Sequence, residues 1–227
     1  MPKKKRTAGI SSSLIKGVKM NRAQRGKQIA SLRKRQITRA AYEIIAEKGY
    51  YNFTMMDIAK RAGVSSGLIH HYFKDKENML VTLLREMQQV IRSTTEKAIE
   101  TEEDPKRRLE VLIDTAFSLV ESDREYLYVI FDFLTQIKLN ERMRRILGKL
   151  YRGYRDIWIQ ILDDGMKKGV FIEMDLHFVS SFCVAAILGL EQMYVVDNSA
   201  FFYRDYTKRI RNLILDMLII KPKPESA

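Results

Sequence analysis

The stretch TMMDIAKRAGVSSGLIHHYFKDKENML, residues 54–80, predicts two short helices separated by a glycine turn. The first helix starts after Thr54, whose hydroxyl caps it, and Asp57 places a negative charge at its positive end. Gly63 ends this helix, because glycine adopts the left-handed turn conformation at low steric cost. Ala59 is small at the point where the two helices must touch.

The second helix of this pair has an outer face suited to a groove lined with phosphates. Ser65 caps the helix, and Ile69 fills the small core beneath it. The outer face is small and polar, and no carboxylate appears in it before Asp75. Its members are Ser66, Gly67, His70, His71 and Lys74. Two helices joined in this way predict a helix-turn-helix, whose second helix enters the major groove of DNA.

Helical patterns continue on both sides of this pair. Apolar residues at helical spacing predict a first helix near residues 32–48, capped by Ser31 and followed by Gly49. Asp75 caps a fourth helix that starts at Lys76. Further helical patterns lie near residues 105–122, 124–137, 140–168, 175–196 and 200–219. No run alternates strictly as a half-buried strand does, so the sequence predicts an all-α fold.

The positive charge of the chain is concentrated in its first third. The 227 residues carry a formal net charge of +12. Residues 1–78 contain 18 Lys or Arg and 5 Asp or Glu, whereas residues 79–227 contain 22 and 23. A basic head on a neutral body predicts a polyanionic partner, either nucleic acid or an anionic membrane surface.

The string from Arg35 to Leu80 resembles the N-terminal domain of the TetR family of bacterial repressors almost without gaps. The matching pieces are Ala46 to Tyr50, Thr54, Ile58-Ala59, Ala62 to Ser65, Gly67, Tyr72-Phe73 and Lys76-Glu77. Further along, Gly165 to Phe171 is similar to the betaine-repressor type of C-terminal domain in this family. The resemblance implies a ligand-responsive repressor that binds a palindromic operator in double-stranded DNA as a homodimer, in a bacterial cytoplasm.

The resemblance also implies a domain organisation. A basic flexible arm is expected at residues 1–27, followed by a three-helix helix-turn-helix domain at 28–78. A helical ligand-binding and dimerisation domain follows at 79–221, and a tail at 222–227. Two variants of this reading stay open: a TetR-like activator and a DNA binder without a ligand. A membrane-surface or interaction module that uses the basic head is the alternative from another class.

The DNA contacts of the family carry over onto individual residues. The resemblance implies contacts from Thr54, Ser65, Ser66, Gly67, Leu68, His70, His71, Tyr72 and Lys76. Among these, Thr54, Tyr72 and Lys76 match phosphate-binding positions, and Ser65 and Ser66 match the start of the recognition helix. The positions that approach bases are matched by Gly67, Leu68, His70 and His71. This sequence departs from the common pattern at Leu68 and His70, so the resemblance does not imply an operator sequence.

The segment from Tyr126 to Trp158 is rich in aromatic residues. In the TetR family this middle region of the chain surrounds a ligand cavity. The candidates are Phe117, Tyr128, Phe131, Phe133, Leu134, Ile137, Tyr154, Trp158, Phe182 and Gln192. For each of them an ordinary place in the core is the competing interpretation. The Phe, Leu, Ile and Met content favours an apolar small-molecule effector.

The last two helices form the dimer surface in this family. The expected interface has two parts. One is a set of small residues that permit close packing of the helices, and the other is an apolar stripe opposite them. Its members are Ala185, Ala186, Gly189, Ile210, Leu213, Ile214, Met217 and Leu218. The alternative is that both helices pack only within the monomer.

Several other classes of protein and site have little support in the sequence. The single cysteine, Cys183, lies in an apolar helix, which excludes a disulfide framework and argues against a nucleophile. No phosphate-binding loop or dinucleotide fingerprint is present, so no catalytic residue and no cofactor are predicted. His70 and His71 are neighbours that point about 100° apart, so no metal site is predicted. The longest apolar run has nine residues, Phe182 to Leu190, and predicts no membrane span.

Overall fold

The computed structural model describes residues 21–220, which form nine α-helices. The helices are α1 (Arg22–Lys48), α2 (Met55–Ala62), α3 (Ser66–Tyr72), α4 (Lys76–Ile99), α5 (Pro105–Ser122), α6 (Arg124–Leu134), α7 (Glu141–Lys167), α8 (Leu176–Val196) and α9 (Tyr203–Leu218). Within this range the only strand-like pairing is an isolated bridge between Phe171 and Ile219. The all-α prediction is therefore confirmed.

The first three helices form a small head around a continuous apolar core. Ile37 of α1, Ile58 of α2 and Ile69 of α3 are fully buried there, and Phe73 closes the core behind α3. The predicted caps are present: Thr54 accepts a hydrogen bond from the backbone of Asp57, and so do Ser65 and Asp75 from residues three positions later. Gly63 has φ 62° and ψ 37°, which is the left-handed turn that the sequence required.

The start of α1 differs from the prediction. The helix begins ten residues earlier than expected, at Arg22, and Ser31 lies inside it. Asn21 is the N-cap, and its side chain and that of Gln24 each accept a hydrogen bond from the other's backbone, at 2.8 and 2.9 Å. Residues 22–27, which the sequence assigned to a mobile arm, are thus helical. The rest of that arm, residues 1–20, and the predicted tail lie outside the described residues.

The body is a bundle in which α5 contacts all the other helices, α4, α6, α7, α8 and α9. Helix α9 packs on α5 and α8, and α7 contacts α4, α5, α6 and α8. The buried face of α7 runs from Met143 through Leu150 and Trp158 to Leu162. Helix α4 contacts α1 of the head as well as α5 and α7 of the body, so it connects the two parts.

The segment after α7, residues 169–172, pairs with the end of α9, and we call this pairing the clasp. The chain turns at Gly169 and brings the ring of Phe171, which is only 2% exposed, onto Gly165. The backbone nitrogen of Ile172 donates to the carbonyl of Leu218 at 2.9 Å, and that of Ile220 donates to Val170 at 3.1 Å. The clasp therefore fixes the end of α9 beside the end of α7.

Helix α8 is apolar on nearly every side. By length and composition alone, it is the one helix within residues 21–220 that could cross a membrane. In this fold it packs against α5, α7 and α9, with Cys183 and Ile187 buried in the bundle. The side of α8 that faces away from the bundle also carries large apolar residues, which are exposed to solvent in a single protomer.

Candidate nucleic-acid interface and ligand cavity

Most side chains of α3 face away from the core of the head. Ile69 is its only fully buried residue, whereas Gly67, His70 and His71 are exposed. Ser66, Leu68 and Tyr72 are half-buried. Both histidines are therefore available on the surface.

Two of the candidate DNA-contacting hydroxyls, those of Thr54 and Ser65, already have hydrogen-bond partners within the head. The Thr54 hydroxyl donates to the Asp57 carboxylate at 2.8 Å and accepts from the Asp57 backbone at 3.1 Å. The Ser65 hydroxyl accepts from the backbone of Leu68 at 3.2 Å. A hydrogen bond from Lys48, together with those from Thr54, holds the pKa of Asp57 well below its usual range. Both hydroxyls remain exposed, and their first role is to cap α2 and α3.

The basic residues of the head divide into two groups. Arg61 pairs with Glu47 at 2.7 Å and with Glu43 at 3.5 Å, and Arg39 also pairs with Glu43. By contrast, several cations have no carboxylate within ion-pair distance among residues 21–220. They include Arg33, Lys34, Arg35, Lys60 and Lys74. This second group supplies the uncompensated positive charge around the helix-turn-helix.

Lys76 is held inside the head. Its ammonium donates to the carbonyls of Tyr50 and Phe53, at 3.2 and 3.3 Å, and lies 3.8 Å from the centre of the Phe53 ring. Burial lowers the pKa of Lys76. Two of its three ammonium protons are thus used to fix the loop before α2, and only the third is free for a phosphate. The structure adds a structural role to the phosphate contact that the sequence predicted.

Replacing Lys76 with methionine should therefore separate these two roles. We expect the free energy of unfolding to fall by about 1–3 kcal/mol, since two carbonyl oxygens lose a charged donor. A phosphate contact would also reduce the slope of log affinity against log salt by about one. Urea denaturation and DNA binding at several salt concentrations measure the two effects. Lys74→Met is the matched control, because exposed Lys74 should change only the salt slope. If the slope of log affinity against log salt is unchanged in Lys76→Met, Lys76 does not contact a phosphate.

The head is joined to the body by hydrogen bonds that centre on α6. The Tyr42 hydroxyl of α1 donates to Asp123 at 2.6 Å, where α6 begins. At the other end of α6, the backbone nitrogen of Tyr50 donates to Asp132 at 2.8 Å. The Gln136 amide, just beyond α6, donates to the Tyr51 hydroxyl at 2.6 Å. Both ends of one short helix are therefore fixed to the head.

A cavity of about 310 Å³ lies in the body between α4, α5, α6, α7 and α8 and opens to the surface beside Val90, which is exposed. Its walls are mostly aliphatic and aromatic. They are formed by Val90, Ile91, Thr94, Thr95, Leu112, Thr115, Ala116, Ser118, Leu119, Ser122, Tyr126, Leu127, Ile130, Leu150, Tyr151, Tyr154, Ile157, Trp158, Val184, Ile187, Leu188 and Glu191. This size is at the lower end of small-molecule sites, which are roughly 300–1,000 Å³.

The structure places only two of the ten predicted ligand-binding residues, Tyr154 and Trp158, in the wall of this cavity. Two others are buried in the core beside it and do not line it: Phe117 and Phe133. Four are exposed on the surface: Tyr128, Ile137, Phe182 and Gln192. Two are half-buried and do not line the cavity: Phe131 and Leu134. These eight assignments are corrected, because aromatic content located the region but not which side of each helix faces inward.

The polar groups of the cavity come from three helices. Tyr126 of α6 and Tyr154 of α7 share a hydrogen bond of 3.0 Å between their hydroxyls. Glu191 of α8 is only 3% exposed, and burial raises its pKa to about 8. The sequence interpretation chose Gln192 as the polar residue of this wall, one position away. Neighbours on a helix point about 100° apart, so Gln192 faces outward when Glu191 faces the cavity.

The predicted dimer surface is divided by the structure. Ile214 and Leu218 are buried within the protomer, so their assignment to an interface is corrected. Leu213 is 66% exposed, and Met217 and Ala185 are exposed as well. The remaining predicted positions are half-buried: Ala186, Gly189 and Ile210. Large apolar residues missed by the sequence interpretation join them on the outside: Phe178, Phe182, Met193, Val196 and Tyr206.

Comparison with known proteins identifies the family. Residues 37–83 match the family described as bacterial regulatory proteins, tetR family. Residues 105–218 match the BetI-type transcriptional repressor C-terminal domain, which is half of the chain. The chain belongs to the TetR family. The resemblance found in the sequence is thereby confirmed for both domains, and this TetR-family protein is a ligand-responsive, DNA-binding transcriptional regulator of the repressor type.

Individual relatives agree with this assignment. The fatty acid metabolism regulator protein of Bacillus subtilis is 35% identical over 137 residues, which are 59% of this chain and 68% of that protein. The structure of the transcriptional regulator FadR from Bacillus subtilis, in complex with stearoyl-CoA, superposes with a TM-score of 0.71 at 27% identity, covering 81% of this chain and 98% of that one. A regulator from Saccharomonospora viridis in complex with choline shares the fold, with a TM-score of 0.77 at 23% identity, covering 84% of this chain and 100% of that one.

Proposed function

We propose that this TetR-family protein is a dimeric repressor that leaves a palindromic operator when an apolar small molecule enters its cavity. The observation that carries the proposal is the combination of an outward-facing α3, surrounded by uncompensated cations, with an apolar cavity in the body. The structure of the Bacillus subtilis regulator FadR in complex with stearoyl-CoA supports a small-molecule effector for this protein. Since the target is bacterial DNA, we place its action in the cytoplasm.

The base-reading surface is proposed to be the exposed face of α3. Ser66, Gly67, His70 and His71 are small or hydrogen-bonding side chains that can reach base edges in the major groove. Thr54, Ser65, Tyr72 and Lys76 flank them and are proposed to contact phosphates, which fix the register of the head on the duplex. Lys60 and Lys74 add sequence-independent attraction to the backbone.

The dimer surface is proposed to consist of two apolar stripes. The outer stripe of α8 has a helical spacing of three and four and is formed by Phe178, Phe182, Ala185, Gly189, Met193 and Val196. The outer stripe of α9 follows the same rule and is formed by Tyr206, Ile210, Leu213 and Met217. Monomeric proteins rarely expose apolar patches of this extent. A two-fold dimer covers both stripes and points two heads towards one duplex, which predicts a palindromic operator.

The route from cavity to DNA is proposed to run through α6. Tyr126 and Ile130 of this helix line the cavity, and Asp123 and Asp132 hold the head. A ligand that displaces α6 therefore changes the position of the head without touching it. Repression is relieved if the ligand-bound form separates the two heads by a distance that the operator does not match.

Replacing Tyr42 with phenylalanine tests the joint between head and body. The variant loses the hydrogen bond to Asp123, so we expect a loss of about 1 kcal/mol in the free energy of unfolding. Affinity for operator DNA should fall several-fold, because the heads are less firmly pre-positioned. Tyr128→Phe is the matched control, since Tyr128 of α6 is exposed and forms no side-chain hydrogen bond within residues 21–220. Equal DNA affinity in wild type and Tyr42→Phe would show that this contact does not position the head.

A direct experiment separates DNA binding from the membrane-surface alternative. Purified protein is mixed with genomic fragments in a gel shift and with anionic liposomes in a sedimentation assay. We expect a subset of fragments to shift at physiological salt and the liposomes to leave the protein in solution. Binding to liposomes without selection among DNA fragments would overturn the proposed function.

A further inference from the structure

Glu191 is the one acidic residue with a buried side chain in residues 21–220. It is 3% exposed and lines the cavity from α8. Its carboxyl group has no hydrogen-bond or ion-pair partner in this range, and burial raises its pKa to about 8. A carboxyl group in an apolar wall without a partner avoids the cost of an isolated charge by keeping its proton. Glu191 therefore presents an O–H donor to the cavity at neutral pH.

The groups that face Glu191 from the neighbouring helices are uncharged at neutral pH. Burial, with a smaller contribution from the charge of Glu191, raises the pKa of Tyr126 on α6 and of Tyr154 on α7. The pKa of Tyr203 on α9 is raised by the same two causes, and its hydroxyl donates to the carbonyl of Phe117 on α5. No lysine, arginine or histidine lines the cavity.

The remaining side chains near this part of the wall do not change that balance. Tyr151 of α7 also lines the cavity, and burial raises the pKa of its phenol. The polar residues that α4 and α5 contribute to the wall are serines and threonines, which do not titrate. Arg124 of α6 packs on the ring of Tyr194, donates to the Tyr194 carbonyl at 3.3 Å and does not line the cavity. Glu191 thus has no counter-charge in the wall.

The tyrosine pair adds a second donor to the cavity. The hydroxyls of Tyr126 and Tyr154 lie 3.0 Å apart. One hydroxyl of such a pair donates to the other, and the proton of the accepting hydroxyl stays available. Because Glu191 contributes to the pKa of both tyrosines, the three groups lie in the same part of the wall. This part of the cavity offers hydrogen-bond donors and carries no charge.

We propose that the cavity binds an uncharged long-chain carbonyl compound, a ketone or an ester, whose oxygen accepts hydrogen bonds from Glu191 and the tyrosine pair. This inference rests on the proposed function, because it takes the cavity to be the effector site. A carbonyl oxygen has two lone pairs and no proton, so it matches a wall with two donors. The aliphatic residues of α4, α5 and α6 surround the chain.

The pH dependence of binding has a definite sign. A carbonyl oxygen accepts the proton of the carboxylic acid and is repelled by the carboxylate. The affinity should therefore be constant below the pKa of Glu191, about 8, and fall above it. The expected loss between pH 7 and pH 9 is about tenfold. A cation paired with the carboxylate would show the opposite trend, because its affinity would rise as Glu191 loses its proton.

The fluorescence of Trp158 measures binding directly, because this side chain lines the cavity and is the only tryptophan in the chain. The full chain is titrated with 2-undecanone, without DNA, at pH 7 and at pH 9. We expect saturable quenching with about tenfold weaker binding at pH 9. Glu191→Gln keeps a donor and cannot ionise, so its affinity should be the same at both pH values. Glu191→Leu removes the donor and should bind at least about fivefold more weakly at pH 7.

Gln192→Leu is the matched control variant. Gln192 is exposed and faces away from the cavity on the same helix. This variant should bind 2-undecanone with the affinity and the pH dependence of the wild type. Far-UV circular dichroism of every variant at pH 9 separates a loss of binding from a loss of structure.

Four outcomes would overturn this inference. The first is the absence of saturable quenching by 2-undecanone, and the second is a wild-type affinity that stays level or rises between pH 7 and pH 9. The third is equal affinity of wild type and Glu191→Leu at pH 7. The fourth is tighter binding of decyltrimethylammonium or decanoate than of 2-undecanone at pH 7.

The proposed function is tested separately by adding 2-undecanone to an operator complex. If the ketone binds with the expected pH dependence and the complex persists, the ligand class stands and the role of this ketone as inducer fails. If the ketone does not bind and a different apolar compound releases the operator, the proposed function stands and this inference fails.

Discussion

Replacing Gly165 with alanine is expected to lower the melting temperature by about 10 °C. A Cβ atom at this position would lie 2.0 and 2.3 Å from two carbons of the Phe171 ring. Phe171 is buried and held by the clasp between α7 and α9, so the ring has nowhere to move without distorting the backbone. Overpacking of this kind costs about 3 kcal/mol, which corresponds to several degrees per kcal/mol in a chain of this size.

Gly153→Ala is the matched control for this prediction. Gly153 lies on the same helix, and an added Cβ there would have no atom within 4 Å. Alanine is the better helix former by about 1 kcal/mol, so the control should be neutral or slightly more stable. The double variant Gly165→Ala/Phe171→Leu should recover part of the loss, because the smaller side chain leaves room for the methyl group. Equal melting temperatures for Gly165→Ala and Gly153→Ala would contradict the close packing of the clasp.

Replacing Leu213 with glutamate is expected to convert the proposed dimer into a monomer and to weaken operator binding by at least about 100-fold. Leu213 lies at the centre of the outer stripe of α9 and is 66% exposed in the protomer. The substitution thus leaves the protomer core intact and places a charge in the proposed interface. Linked heads gain a factor of about 10² to 10⁴ from effective concentration, and a monomer loses it.

Sedimentation velocity and DNA titrations measure the two effects together. Gln160→Glu on α7 is the matched control, since it introduces the same residue at an exposed position away from both stripes. It should remain dimeric and bind DNA as the wild type does, apart from a small electrostatic change. A Leu213→Glu protein that stays dimeric would show that the dimer interface lies elsewhere on the protomer. A monomeric variant with full operator affinity would show that the dimer is not needed for binding.

The head could be predicted from the sequence because its structure is set locally. Thr54 and Ser65 cap helices through residues three positions away, and Gly63 determines its own turn. Such signals do not depend on the rest of the fold. The early start of α1 followed from the same kind of signal, the pair Asn21 and Gln24. It was missed because residues 22–31 carry no apolar stripe to mark them as helical.

The cavity could be located but not described in detail, and the reason lies in α8. This helix is apolar on nearly all sides, so its sequence does not indicate which residues face the core, the cavity or a partner. Packing against α5, α7 and α9 sets that rotation. It buries Glu191 and leaves Phe182 and Gln192 outside, where sequence reasoning had assigned both of the latter to the ligand site.

The central claim is that the exposed face of α3 reads base sequence while the flanking groups supply general affinity. The most direct measurement is competition between a genomic fragment selected by the protein and a shuffled duplex of equal length. For the wild type we expect a preference of about 10³ or more for the selected fragment at physiological salt. The His70→Ala/His71→Ala variant should lose at least about tenfold of that preference while binding the shuffled duplex as before. Equal binding of both duplexes by the wild type, or an undiminished preference in the variant, would contradict the claim.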